Sequence, residues 1–267
     1  MQIRDLPNEV VESVVSPIKN FTVFLVYRGG LKGSGTLVKC GDRFGVLTAH
    51  HVIHRGRRLD FSSGSTETLG FCIDAYPTAL YMPLNRLNLI EVGVPVTESG
   101  GPDLSFIDIP PSEHRGFLLS KKSFWDLGHE REIRLAECIK PNGAWCLAYH
   151  ADERTKIETD ERGDLLCFRA SVGWSSLRRS YIIDAYDYVE TGVDAANEEK
   201  GIPESFGGGS GGGVWKVPLA GKPDGVIQAG KPIFAGVMFY ETPERTIRCH
   251  GPMSIYERVY TTLIEKP

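Results

Sequence analysis

Eleven short apolar or alternating runs, mostly divided by Gly, Pro, Asp and Ser, constrain this chain more than any other feature. Such runs read as β-strands when they alternate with a period of two or form brief apolar stretches between turn residues. A first series comprises 21–27, 34–39, 44–48, 70–73, 87–92 and 104–109, and a second comprises 144–149, 165–172, 181–188, 214–217 and 232–240. No αβ alternation suggests a parallel sheet, and no repeat links the halves. The expectation is all-β: two antiparallel β-barrels of about six strands each. Val10, Val11, Val14 and Val15 form one apolar stripe at helical spacing, which predicts a short N-terminal helix, and 254–264 predicts a short closing helix. Pro110–Ser123 reads as the connection between halves. The expected organisation is a helical extension over 1–19, a first barrel over 20–115 and a second over 116–267.

Six glycines bracket Ser210 in the run from Gly207 to Gly213. A Gly/Ser linker is solvated coil, yet this run continues directly into Val214-Trp215-Lys216-Val217, a candidate half-buried strand. Glycine permits positive φ and close approach of a substrate to the backbone, as a nucleophilic serine on a tight turn requires. A serine hydroxyl becomes a competent nucleophile when an imidazole takes its proton and a carboxylate orients that imidazole. Leu47-Thr48-Ala49-His50-His51-Val52 ends one predicted strand with histidines, and Gly101-Pro102-Asp103-Leu104 puts an acid before another. Read singly, each residue has an ordinary alternative: a linker serine at Ser210, a turn residue at Asp103, His50 in place of His51 as the base, or Asp108 in place of Asp103 as the acid. His50, His51 and His54 also invite a metal, but no acidic or cysteine partner lies close in sequence, so no metal is expected. Cys249-His250 are immediate neighbours without the gap usual in a ligand pair.

In combination the three motifs resemble those of the trypsin-like (chymotrypsin-fold) serine peptidases, where a "TAAH" histidine, a "D-L-[AS]" aspartate and a "G-x-S-G-G" serine occur in this order. His51, Asp103 and Ser210 match position by position, and Gly33-Ser34-Gly35-Thr36 is similar to the family's "G-S-G-[ST]" strand. The resemblance covers roughly 20–260. It implies Ser210 as nucleophile, His51 as general base and then acid, Asp103 as its orienter, and the N–H groups of Gly208 and Ser210 as the oxyanion hole. It implies no cofactor, and a peptide or protein as substrate. Glu204, six residues before the nucleophile, falls where the family often places the base of the primary pocket. With Glu241 it predicts a preference for Lys or Arg before the cut, and Tyr240 is expected to form a wall. The alternative is a catalytically silent module of the same fold that binds a peptide or protein.

Two departures bear on setting and control. Where secreted relatives carry bridging cysteines, this chain has Gly33, Val52 and Phe206, so those bridges cannot form. Where zymogens keep an aspartate that pairs with a newly cut N-terminus, it has Gly209. Control is therefore expected to come from narrow specificity or a regulatory protein partner, acting through the N-terminal helix or through 192–203. Residues 1–9 show neither the basic start nor the apolar core of a signal peptide, which predicts a cytoplasmic protein of prokaryotic kind, reduced buried cysteines and no use for the sequon-like Asn20-Phe21-Thr22. A net charge of −4 argues against a nucleic-acid role despite Arg55-Gly56-Arg57-Arg58, and no apolar run is long enough for a membrane span.

Overall fold

The computed structural model describes residues 7–27, 30–54, 59–73, 79–97, 100–150, 156–160, 163–167, 170–193, 206–221 and 227–265. The first sheet is built from β1 (Thr22–Tyr27), β2 (Gly30–Cys40), β3 (Arg43–Thr48), β4 (Thr68–Cys72), β5 (Leu80–Pro83), β6 (Asn88–Gly93) and β7 (Leu104–Asp108), in the order β5-β4-β1-β2-β3-β7-β6. β8 (Trp125–Asp126) joins it parallel to β2. β9 (Ala144–Tyr149) opens the second half, followed by the hairpin of β10 (Lys156–Asp160) and β11 (Gly163–Cys167). β12 (Ser171–Ile183), β13 (Tyr186–Val193), β14 (Gly213–Val217), the small pair β15 (Leu219–Gly221) and β16 (Ile227–Ala229), β17 (Ile233–Glu241) and β18 (Thr246–His250) complete the strands. Six of them close a barrel in the order β12-β13-β18-β17-β14-β9.

The all-β expectation holds, with one difference. The first sheet curls as a half-barrel, and its end strands β5 and β6 share no ladder among the described residues. β1 shows why apolar runs became strands here: all six of its residues are buried. Val23, Leu25 and Tyr27 face one cluster, while Phe24 and Val26 face another with Cys72. A strand covered on both faces loses its polar alternation.

The helices are α1 (Asn8–Lys19), α2 (His50–His54), α3 (Glu113–Lys121), α4 (Arg131–Ile139) and α5 (Tyr260–Glu265), the last continuing a π-turn over Ser254–Val259. α1 buries Val14 and Ile18 in the same core as the barrel, with Val10 and Val11 packed beside them. α3 occupies the segment read as a plain connection. Its start is set by Ser112, whose Oγ accepts the N–H of Arg115 at 3.2 Å, an N-cap. That core also joins the halves: Val38, Leu47 and Phe106 of the first sheet pack with Trp145, Val214, Phe234 and Val237 of the barrel.

Two predicted strands divide differently. The run 165–172 is the end of β11 and the start of β12. The run 181–188 is a hairpin whose turn residues, Asp184 and Ala185, have φ of 49° and 67°. Two successive left-handed residues make the tight turn that suits strand twist, but here without the glycine that signals it in sequence.

Candidate active site

The pairing of β3 with β7 brings the first two candidate residues together. Thr48 lies opposite Ser105 in that antiparallel ladder, so the residues just past Thr48 meet those just before Ser105. His51 sits in the single turn of α2 that follows β3, and Asp103 immediately precedes β7. His51 Nδ1 is 2.6 Å from Asp103 Oδ2, and the His51 backbone N–H donates to Asp103 Oδ1 at 2.9 Å. The Asp103 side chain is 1% exposed and the His51 side chain 23%, which leaves one edge of the imidazole open.

The alternatives separate cleanly. His50 is buried, with Nδ1 2.9 Å from Ser105 Oγ. Asp108 lies at the far end of β7 and pairs with Arg43 at 2.9 Å. His51 and Asp103 are thus the histidine and acid that meet.

A fourth residue enters from the barrel. The backbone N–H of Asp103 donates to Nε2 of His250 at 3.0 Å. His250 ends β18, is fully buried, and packs against the rings of Tyr186, Tyr188 and Phe239. Burial pushes its pKa down to about 4, so the ring is neutral and its accepting Nε2 fixes the proton on Nδ1. Sequence reasoning weighed His250 only as a metal ligand. The signal available was a histidine ending the alternating run Thr246-Ile247-Arg248-Cys249-His250.

The glycine run is a turn held from both sides. Gly208 has φ +79°, a region that a Cβ disfavours. Gly209 N–H donates to Phe206 O at 2.7 Å, and Gly212 N–H to Gly209 O at 2.9 Å. Because a trans peptide points its N–H opposite its C=O, the second bond turns the Ser210 N–H away from the loop interior. Among the described residues, neither Gly208 N–H nor Ser210 N–H has an acceptor within the protein. Gly211 has φ +86°, and a Cβ there would collide with Ser34 O and Thr48 Oγ1.

Ser34, fully buried in β2, clamps this loop from the first sheet. Its N–H donates to Ser210 O at 2.8 Å, and its Oγ donates to Gly208 O at 2.7 Å while accepting the N–H of His150 at 2.9 Å. Gly209 offers the loop no side chain, and the anchor lies one residue earlier, at the Gly208 carbonyl. Sequence reasoning noted Ser34 only as part of a motif.

His51, Asp103 and Ser210 line one cleft of about 670 Å³. Among the described residues no hydrogen bond joins Ser210 Oγ to His51. Tyr240 and Glu241 also line the cleft, with Phe206, Met238, Phe239 and Ile247. Glu241 is engaged: Oε2 accepts the N–H of Phe206 at 3.0 Å and Oε1 is 3.0 Å from Arg245 Nε. Glu204 and most of 192–203 lie outside the described residues. Cys40, Cys72, Cys138, Cys146 and Cys249 are unbridged and buried. Burial raises the first three thiols to about 11, 12 and 12, leaving them poor nucleophiles. No helix among the described residues is long and apolar enough to cross a membrane.

No family model matches this sequence, and no curated protein matches it. Among solved structures, the chain is similar to the serine protease domain of the Sesbania mosaic virus polyprotein, at 15% identity and a TM-score of 0.42 over 89% of this chain and 90% of that one. It is also similar to kallikrein-related peptidase 10 in a complex with Zn²⁺, at 9% identity and a TM-score of 0.45 over 93% of this chain and 97% of that one. At these identities, the roles of individual residues rest on the geometry of this chain.

Proposed function

We propose that the protein is a serine endopeptidase that cleaves peptide bonds through an acyl-enzyme. One observation carries the reading: the His51–Asp103 pair and Ser210 line one cleft, at a loop whose Gly208 and Ser210 N–H groups have no acceptor among the described residues. Ser210 Oγ attacks the scissile carbonyl carbon while His51 Nε2 takes its proton. Asp103 holds the proton of Nδ1 and stabilises the imidazolium. The two N–H groups receive the developing oxyanion, each contributing about 3 kcal/mol in comparable sites. His51 then returns its proton to the leaving amine, and water repeats the sequence on the acyl group. No step calls for a cofactor.

A fluorophosphonate probe tests this directly. Ser210 is expected to label covalently, and Ser210→Ala and His51→Ala to abolish labelling; an unlabelled wild-type protein overturns the reading. A second reading, a silent peptide-binding module, is favoured by the missing hydrogen bond between Ser210 Oγ and His51, although such contacts often tighten only when substrate binds.

The pocket reading narrows. With both Glu241 oxygens engaged, a preference for Lys or Arg depends on Glu204, and otherwise the apolar lining selects an apolar residue. A peptide-library profile of wild type and Glu204→Gln separates the two. Control by a protein partner or by narrow selection belongs to this reading, and full-rate cleavage of unrelated peptides by the purified protein alone would contradict it.

A further inference from the structure

Two histidines of the cleft wall belong to a second group of side chains that the proposed reaction does not use, completed by an acid just outside the cleft. α2 presents His50 and His54 one turn apart, with ring centroids 4.1 Å apart, and β6 brings Glu91 to them. One ligand atom from each of the three lies within 4.8 Å of the others. His54 Nε2 and Glu91 Oε1 are 3.4 Å apart. That separation is long for a hydrogen bond, but it is about the edge of a tetrahedron with metal–ligand bonds of about 2.0–2.1 Å. Ser105 Oγ, 2.9 Å from His50 Nδ1, fixes that ring from behind, the supporting contact that a ligating imidazole needs. His50 then offers Nε2.

We propose that His50, His54 and Glu91 bind one Zn²⁺ ion. Two imidazole nitrogens and one carboxylate oxygen suit this borderline cation, and the fourth position is left for water. His50 and His54 line the cleft and the Glu91 side chain is 38% exposed, so an ion has a path in. The sequence alone offered the three histidines of α2 without an acid; the fold supplies Glu91 and leaves His51 to Asp103. The ion would regulate the site. A dication on α2 opposes the positive charge that His51 acquires when it takes the serine proton, and so slows acylation. Only this regulatory consequence rests on the peptidase reading.

Titration of the purified protein with Zn²⁺ alone, followed by calorimetry, is expected to show one equivalent bound. Co²⁺ as a replacement is expected to give the visible absorption bands of a tetrahedral site. His54→Ala and Glu91→Gln should each weaken binding at least about tenfold, as loss of a ligand does, whereas His51→Ala should bind as the wild type does. Absence of binding, binding unchanged in both ligand variants, or binding lost in His51→Ala would each overturn the site. Labelling by the fluorophosphonate should slow about tenfold at saturating Zn²⁺ in the wild type and not in Glu91→Gln; unchanged wild-type labelling overturns the regulation. A protein that binds Zn²⁺ but never labels refutes the peptidase reading and leaves the metal site standing.

Discussion

At the scale of single residues, Ser34 and His250 support the three motif residues: Ser34 holds the Ser210 loop and His250 accepts the N–H of Asp103. Ser34→Ala removes the donor to the part-buried Gly208 O and the acceptor of the buried His150 N–H. Leaving such groups unsatisfied costs about 1–3 kcal/mol. If the loop serves the oxyanion as proposed and not ground-state binding, the expected outcome is a lower melting temperature and a labelling rate at Ser210 reduced about tenfold or more, with peptide affinity nearly unchanged. Stopped labelling kinetics beside a peptide titration checks this. His250 sets a pH limit on stability. An unfolded histidine takes a proton below about 6.5, whereas buried His250 resists until about 4. Between those values the unfolded chain binds the extra proton, so stability is complete above about pH 6.5 and is lost as the pH falls toward 4, by about 3 kcal/mol. Denaturant midpoints at pH 7 and pH 4.5 should show a smaller drop in His250→Gln than in the wild type. His51, Asp103 and Ser210 were legible as candidates because each sits in a compact local motif. Ser34 and His250 were not, because their partners lie 174 and 147 positions away in sequence.

At the scale of elements, ladder register fixes the meeting of His51 with Asp103, and a turn marks where the sequence pattern misleads. Thr48 opposite Ser105 obliges the start of α2 to meet Asp103. A one-residue slip would turn Asp103 to the other face. The β12–β13 turn holds Ala185 at φ 67°, where an L side chain is strained and glycine is not. Ala185→Gly is therefore expected to stabilise the protein by up to about 1 kcal/mol, measured as a raised denaturant midpoint; a lowered midpoint would show that the turn is not strained. Most strands were readable from their apolar runs. β18 was not, although it alternates, because Thr, Arg and His occupy its other face. α3 escaped notice for a related reason: it buries only Leu118, too little for an apolar stripe.

At the scale of the whole molecule, one core spans sheet, barrel and N-terminal helix. Ile18 is fully buried in that shared cluster. Ile18→Ala should cost about 2–5 kcal/mol, and calorimetry should still show a single cooperative transition, because no boundary in the core separates the helix from the rest. Two separated transitions would contradict this. The division into two β-rich halves was legible in the two series of strand runs, whereas the cluster shared between them was not, since periodicity tells which face of a strand is apolar but not what covers it.

The Ser34 clamp has a mechanical meaning. The loop that bears Ser210 grows from the barrel, but its carbonyls at Gly208 and Ser210 are tethered to a strand of the opposing sheet. The Ser210 turn is therefore a rivet through two plates. A shift of one plate against the other must stretch these two bonds, so under the proposed function the labelling rate of Ser210 would gauge how well the halves of the molecule are seated.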